Sequence, residues 1–526
     1  MYKPIDADVI IIGGGIAGLT AAYWLSLKEP TLAVVVLEGG DTFAAYIGGR
    51  AFSVPLLIQR GNKTSHFDLG AQWVCKEQNH LLSLFDSLGI IYQATPKQGK
   101  IIIHYQGTYT CEKHAKGSLP FFSTAEKFQL AKYIIKVEAL CRKIKVNETS
   151  KYIKQLNGKT LEEFINETVS SNAVRAVINH MVFVHCGVQS HEISALFYIF
   201  FCISTRGICH QLPTEERTLL EFRIKGGVQA LCDRLADKIG RDSIFTDEHV
   251  KSITLGPKYV EIVSKHTTYR CYSVIVAVAP KDVLNIKFSP SLHENHTEAI
   301  RKTCTSTVTN FVATFEREFW KSSHLSGECY FFDKSHCKGP IDYCTNISSP
   351  SKVALTGRLF SGKVTNNKFP IYRSEVLDQL AHYLGEAALY PLDYYERSWT
   401  NHMCQMAGWE VGNEDYIKHV SQSYDRMFFA GAETTHEWYG YLAGAVHSGM
   451  RAAIHALSLI RPAALNPSDI DIISPSRRRT QLIPFRTYYS ESAYAAAENW
   501  KLIASVCLLV IIALWKLKRK YLFVGK

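Results

Sequence analysis

This sequence is poor in the features that mark specialised chains. Its fourteen cysteines include no CxxC pair and no paired zinc spacing, so neither a dithiol redox motif nor a metal site is expected. No internal repeat or low-complexity tract occurs, which argues against solenoid and disordered classes. No secretory leader opens the chain. The cysteines are therefore expected to be reduced thiols facing the cytosol, packed in the core. The glycosylation-type sequons at Asn62, Asn147, Asn166, Asn295 and Asn346 are expected to be unused. Long apolar runs are also scarce: the one of note is 502–515, near the C-terminus.

The chain carries a formal charge of +11 over 526 residues. Residues 461–526 hold eleven Lys/Arg against four Asp/Glu, leaving the body only about +4. That distribution argues against a nucleic-acid binder. The length predicts two lobes and a tail.

At the front, Val9-Ile10-Ile11-Ile12 reads as a strand buried on both faces. Gly13-Gly14-Gly15-Ile16-Ala17-Gly18 follows, then a helical pattern, then a second apolar run from Ala33 to Leu37 that ends at Glu38. Strand, GxGxxG, helix, strand and acid in this order predict a dinucleotide site. Gly13 serves the tight turn, Gly15 lets backbone approach a pyrophosphate, and Gly18 lets helix pack on strand. An acid at Glu38 suits an unphosphorylated ribose, hence FAD or NAD rather than NADP.

Several stretches then carry a family likeness. They are Gly48-Gly49-Arg50, Phe67-Asp-Leu-Gly-Ala-Gln-Trp73, His191-Glu-Ile-Ser-Ala-Leu196 and Phe222-Arg-Ile-Lys-Gly-Gly227. The longest runs from Asp425 through Ala432, Glu433 and Tyr441 to Ala453. The chain resembles the flavin-containing amine oxidases, the animal monoamine oxidases most of all. The likeness is looser between residues 95 and 180 and between 325 and 395.

The resemblance implies an α/β fold of two interleaved lobes. A Rossmann-like FAD lobe takes 1–95, 225–300 and 395–460, and a substrate lobe takes 96–224 and 301–394. A linker (461–500) leads to a C-terminal anchor (501–526). It implies FAD as cofactor, met by Gly13, Gly15, Ala17, Gly18, Glu38, Gly39, Gly49, Arg50, Val250, Ala432 and Glu433. It implies oxidation of a small-molecule amine with O2 as acceptor. Association of two copies is left open.

The family flanks the amine with two aromatic rings. Tyr441 matches one. In the monoamine oxidases the other directly follows a cysteine bonded to the flavin. Counting without gaps from Trp399 puts that cysteine at Gly408 and the ring at Trp409. A loop deletion would instead bring Cys404 into register, with Gln405 in the aromatic position. The ungapped count is adopted, so FAD is expected to be held without a covalent tether.

Two further departures bear on the chemistry. Asn310 stands where the family places a lysine that holds a water near the flavin, so reoxidation by O2 is expected to slow. The rival reading is accordingly a non-catalytic FAD-binding member. Arg358 stands where the family has a phenylalanine beside the substrate. If it points inward, it would suit a carboxylate-bearing substrate, as in an amino-acid oxidase or dehydrogenase; the polyamine oxidases are the other branch.

At the far end, Leu502–Trp515 is flanked by Lys501 and by Lys516-Leu-Lys-Arg-Lys520. Fourteen residues fall short of the ~20 that span a bilayer, but flanking lysines snorkel. A tail anchor in the lipid bilayer is expected. The mitochondrial outer membrane, facing the cytosol, is favoured over the endoplasmic reticulum.

Overall fold

In the computed structural model, the apolar run at the front forms the strand Ile5–Ile12, whose residues Val9, Ile10 and Ile11 are fully buried. It pairs in parallel with Val34–Leu37 on one side and Thr268–Val276 on the other. The structure describes residues 4–40, 46–113, 119, 121–144, 151–211, 220–305, 307–333, 336–360, 371–400 and 405–473. The chain divides into a compact unit, Met1–Arg479, and a second, Thr480–Lys526, that lies outside the described residues, as does the expected anchor. Among the described residues no helix is long and apolar enough to cross a membrane.

Eight strands make the first sheet. In order they are Lys287–Ser289, Ser252–Leu255, Val260–Val263, Thr268–Val276, Ile5–Ile12, Val34–Leu37 and Ile244–Phe245, with Met427–Phe429 alongside Thr268–Val276. The helices Ile16–Lys28 and Leu442–Ile460 pack on it through Leu25, Ala453 and Leu457, all fully buried. Each buried leucine or isoleucine contributes about 1.5–3 kcal/mol. A Cβ on Gly449 would sit 2.3 Å from the Ala17 carbonyl oxygen, so glycine sets how closely these two helices meet.

A second sheet has seven strands, in the order Asp393–Trp399, Val308–Phe315, Val353–Leu359, Ile341–Asn346, Leu325–Phe331, Lys100–Tyr105 and Thr108–Lys113. Its register lays one row of side chains across the sheet. Asn310 pairs with Arg397 on one side and Arg358 on the other, and Arg358 pairs in turn with Tyr343. Residues in one row project to the same face, so this pairing decides what the sheet presents to the cavity.

Two of the family-like stretches brace the structure. Asp68, fully buried, accepts from Ser53 Oγ at 2.6 Å and from the Val228 N–H at 2.7 Å, and lies 3.6 Å from Arg223. Burial pushes its carboxyl pKa up, and the Arg223 charge works against that rise. Ser194 caps the helix Ala195–Ser204 by accepting from the Phe197 N–H. Its own N–H donates to the Trp409 carbonyl at 2.8 Å.

Candidate active site

A cavity of about 420 Å³ runs from the glycine turn after Ile5–Ile12 to the start of the helix Leu442–Ile460. At the near end Gly13 has φ +107, and a Cβ there would lie 2.6 Å from the Ala277 carbonyl oxygen. A Cβ on Gly18 would lie 1.9 Å from the Gly13 carbonyl oxygen. These are the tight turn and the close helix–strand contact that the spacing predicts. Gly15 lines the cavity and has no neighbour nearer than 4.0 Å to a notional Cβ, so any side chain would project into the space. It is the N-cap of Ile16–Lys28 and offers no side-chain cap, which leaves first-turn N–H groups for an anion.

Glu38 lines the same end. Its Oε2 accepts from the Gly14 N–H at 2.7 Å and its Oε1 from the Gly40 N–H at 2.8 Å. Both bonds aim the carboxylate, and further lone pairs can take ribose hydroxyls. Ala17, Gly39, Gly49, Arg50, Val250 and Ala432 also line the wall. A glycine turn without side chains, an uncapped helix start and an aimed acid fit an adenine dinucleotide. Those residues are the ones that would hold FAD.

Glu433 is placed differently from the sequence expectation. It is 1% exposed and is not part of the wall. Its Oε2 accepts from Arg50 Nη2 at 2.8 Å, and its Oε1 pairs with Nη1. This two-pronged pair fixes the guanidinium of Arg50, which does line the wall. Arg50 Nη1 also donates to the Gln405 carbonyl at 3.2 Å.

Trp409 requires the larger correction. It does not reach the cavity. Its strand, Gly408–Trp409, pairs with Thr303–Cys304, and the indole is buried against Phe200, Tyr416 and Phe197 at centroid distances of 4.6, 5.1 and 5.4 Å. Its Nε1 donates to the Tyr439 hydroxyl at 3.2 Å. A Cβ on Gly408 would lie 2.6 Å from Ile193 and 2.8 Å from Cys304 Sγ, so the backbone is wedged in the core there. Gln405 lines the cavity instead. It is the residue that a gapped count would have put in the aromatic position. Cys404 lies outside the described residues.

Tyr441 does line the cavity, where Trp73, Tyr343 and Trp399 add aromatic surface. Its hydroxyl is 3.3 Å from His185 Nδ1, and His185 Nε2 is 3.0 Å from the Gln211 carbonyl. A carbonyl only accepts, so Nε2 carries the proton and Nδ1 accepts from Tyr441. Burial, with the Arg358 charge assisting, pushes the His185 pKa down to about 4, so the ring is neutral near pH 7. Burial raises the Tyr441 phenol well above its ordinary value. The sequence carried no signal for His185, a polar residue on the mainly apolar helix Asn172–Cys186.

Asn310 lines the cavity and donates through Nδ2 to the Leu69 carbonyl at 2.8 Å, which also accepts from Trp399 Nε1 at 2.7 Å. No lysine lines the wall among the described residues; the cations there are Arg50 and Arg358. Arg358 is 6% exposed. Its Nη1 donates to the carbonyls of Phe183 at 3.0 Å and Val184 at 2.6 Å, and it lies 5.7 Å from the Tyr343 ring centroid. No carboxylate of the described residues pairs with it, and its Nε is buried without a hydrogen-bond partner.

Known proteins point the same way. A probable flavin-containing monoamine oxidase A from Dictyostelium discoideum is 27% identical over 85% of this chain and 96% of its own length. A putrescine oxidase from Kocuria rosea is 26% identical over 86% of the chain and 95% of its own. Among solved structures, a cyclohexylamine oxidase from Brevibacterium oxydans superposes with a TM-score of 0.76 at 23% identity, covering 87% of this chain and all of that one. A putrescine oxidase bound to putrescine gives 0.75 at 21%, with the same coverage. The profile of flavin containing amine oxidoreductases matches residues 16–457, and the chain belongs to that family, whose cofactor is FAD.

Proposed function

We propose that this protein oxidises the C–N bond of a small amine. One observation carries the reading: Tyr441, aimed by His185, stands in the wall of the same cavity whose other end is the dinucleotide cradle. Held by the cradle residues, FAD would supply a hydride acceptor for the substrate carbon, and O2 would be the final two-electron acceptor, giving hydrogen peroxide. The imine product would hydrolyse to aldehyde and ammonia. Tyr441 presents a ring face that guides the amine. The His185 acceptor fixes the phenol, and the buried wall keeps bulk water from the reacting carbon. Asn310 lines the cavity and carries no charge, and slow reoxidation is part of this reading. FAD is held non-covalently in this reading, so acid precipitation leaves the flavin in the supernatant.

Arg358 favours a second, narrower reading. A buried guanidinium on the cavity wall, with no carboxylate partner among the described residues, suits an amine that bears a carboxylate. The test compares amines with and without a carboxylate in wild type and Arg358→Met. The substitution should raise KM for the acid-bearing amine about 10- to 100-fold and leave the neutral one unchanged. Equal effects on both would remove this reading and leave the simple amine.

The tail anchor belongs to the same proposal. It rests on the apolar run 502–515 and its basic flanks, and carbonate-resistant association with outer mitochondrial membranes tests it.

A further inference from the structure

Outside the cavity wall, His80, Glu437 and His447 bring their ligand atoms within 4.8 Å of one another. They come from three places. His80 lies on the helix Asn79–Leu88, Glu437 in the turn before Tyr441, and His447 on Leu442–Ile460. The two imidazole centroids are 5.4 Å apart. Thr435, fully buried, links two of the three: its Oγ1 is 2.9 Å from His447 Nδ1 and accepts from the Glu437 N–H at 3.2 Å. An outer-shell oxygen on one imidazole nitrogen is how metal-binding histidines are oriented, with the other nitrogen turned to the ion. His80 and Glu437 are half-buried, which gives an ion a route from solvent. Arg206 Nη2 lies 3.6 Å from Glu437 Oε2 and supplies countercharge to the carboxylate.

We propose that these three side chains bind a divalent metal of the zinc class, His447 through Nε2, with water completing the shell. Two imidazoles and a carboxylate form a recognised zinc ligand set. Ligands around a tetrahedral zinc are about 3.4 Å apart, so closure asks for about 1 Å of side-chain movement. The two half-buried members, His80 and Glu437, are the ones that would move. The ion would tie Asn79–Leu88 to both ends of the segment 437–447, which carries Gly440, Tyr441, Leu442 and Ala445 of the cavity wall. Its role is therefore a clamp, not a participant in the oxidation. No zinc spacing announces the site in sequence, because its ligands meet only through the fold.

The test uses the full-length, FAD-loaded protein without a histidine tag. It is stripped with EDTA and titrated with Co²⁺, then with Zn²⁺. One equivalent of Co²⁺ should give an absorption band to the red of the flavin, and Zn²⁺ should displace it. Zn²⁺ at hundredfold excess over Kd should raise the thermal midpoint by about 3 °C. His80→Asn and His447→Gln should each lose the band and the shift while keeping flavin content and the metal-free midpoint. If either fails to retain flavin, Glu437→Gln supplies the same comparison. A wild-type protein with neither band nor shift, or a band that survives these substitutions, overturns the proposal.

Discussion

His185 Nδ1 accepts the hydroxyl of Tyr441 at 3.3 Å, and the Gln211 carbonyl on the other ring nitrogen fixes the tautomer that makes this so. The phenol is thereby held by a neutral imidazole. In the proposed function the ring, not the hydroxyl, meets the amine. Tyr441→Phe should keep the rate of anaerobic flavin reduction within about tenfold of wild type, the worth of one hydrogen bond. Tyr441→Ala should raise KM for the amine about 2- to 30-fold. Stopped-flow reduction at several amine concentrations separates the two; a Phe variant as impaired as the Ala variant would give the hydroxyl the leading part.

Trp409 should behave as a core residue. Trp409→Ala removes an indole packed among Phe197, Phe200, Tyr416 and Tyr439, at about 3–5 kcal/mol. Denaturant unfolding should show that loss. The milder Trp409→Phe should leave KM for the amine unchanged. A tenfold rise in KM for the Phe variant would return Trp409 to the cavity.

Acid should destabilise the fold. His185, His296, His436 and His455 are each pushed by burial to a pKa of about 4. In the unfolded chain the value is about 6.5, so between 6.5 and 4 the unfolded state binds more protons. The stability these groups contribute is complete above about pH 6.5 and is lost as pH falls toward 4. Glu328, raised to about 7 by burial, and Asp68, also raised, oppose this. Four groups outweigh two, and unfolding midpoints measured from pH 7 to 5 should fall. A flat or rising midpoint would contradict the assignment of neutral, buried histidines.

Asn310→Lys should speed reoxidation of the reduced flavin by O2 without altering the reductive step. The substitution puts an ammonium beside the Leu69 carbonyl, which now takes the Asn310 amide. Mixing reduced protein with oxygenated buffer reads the rate directly. An unchanged rate would mean that this position does not govern the oxygen reaction.

Local chemistry was readable in the sequence, and tertiary placement was not. Gly13, Gly15, Gly18 and Glu38 lie within one strand–turn–helix–strand unit, so spacing alone showed the tight turn, the close helix contact and the acid at the same end of the cavity. Trp409, on the strand Gly408–Trp409, and Gln405, just before it, differ by four positions. Only the docking of Gly408–Trp409 on Thr303–Cys304 and on Ser194 decides which of them meets the cavity. Arg358 was visible as an odd residue, but its inward direction follows from its register with Asn310 and Tyr343. Nothing local reveals that Arg50 engages Glu433 from 383 residues away. His185 lacked any pattern of its own.

The most direct test of the account is anaerobic. The FAD-loaded protein is mixed, without oxygen, with a panel of primary, secondary, polyamine and carboxylate-bearing amines while the flavin spectrum is followed. At least one class should bleach the flavin, and Tyr441→Ala should slow the bleaching. A spectrum that stays yellow across the whole panel would contradict it and leave a flavin-binding protein without amine oxidase activity.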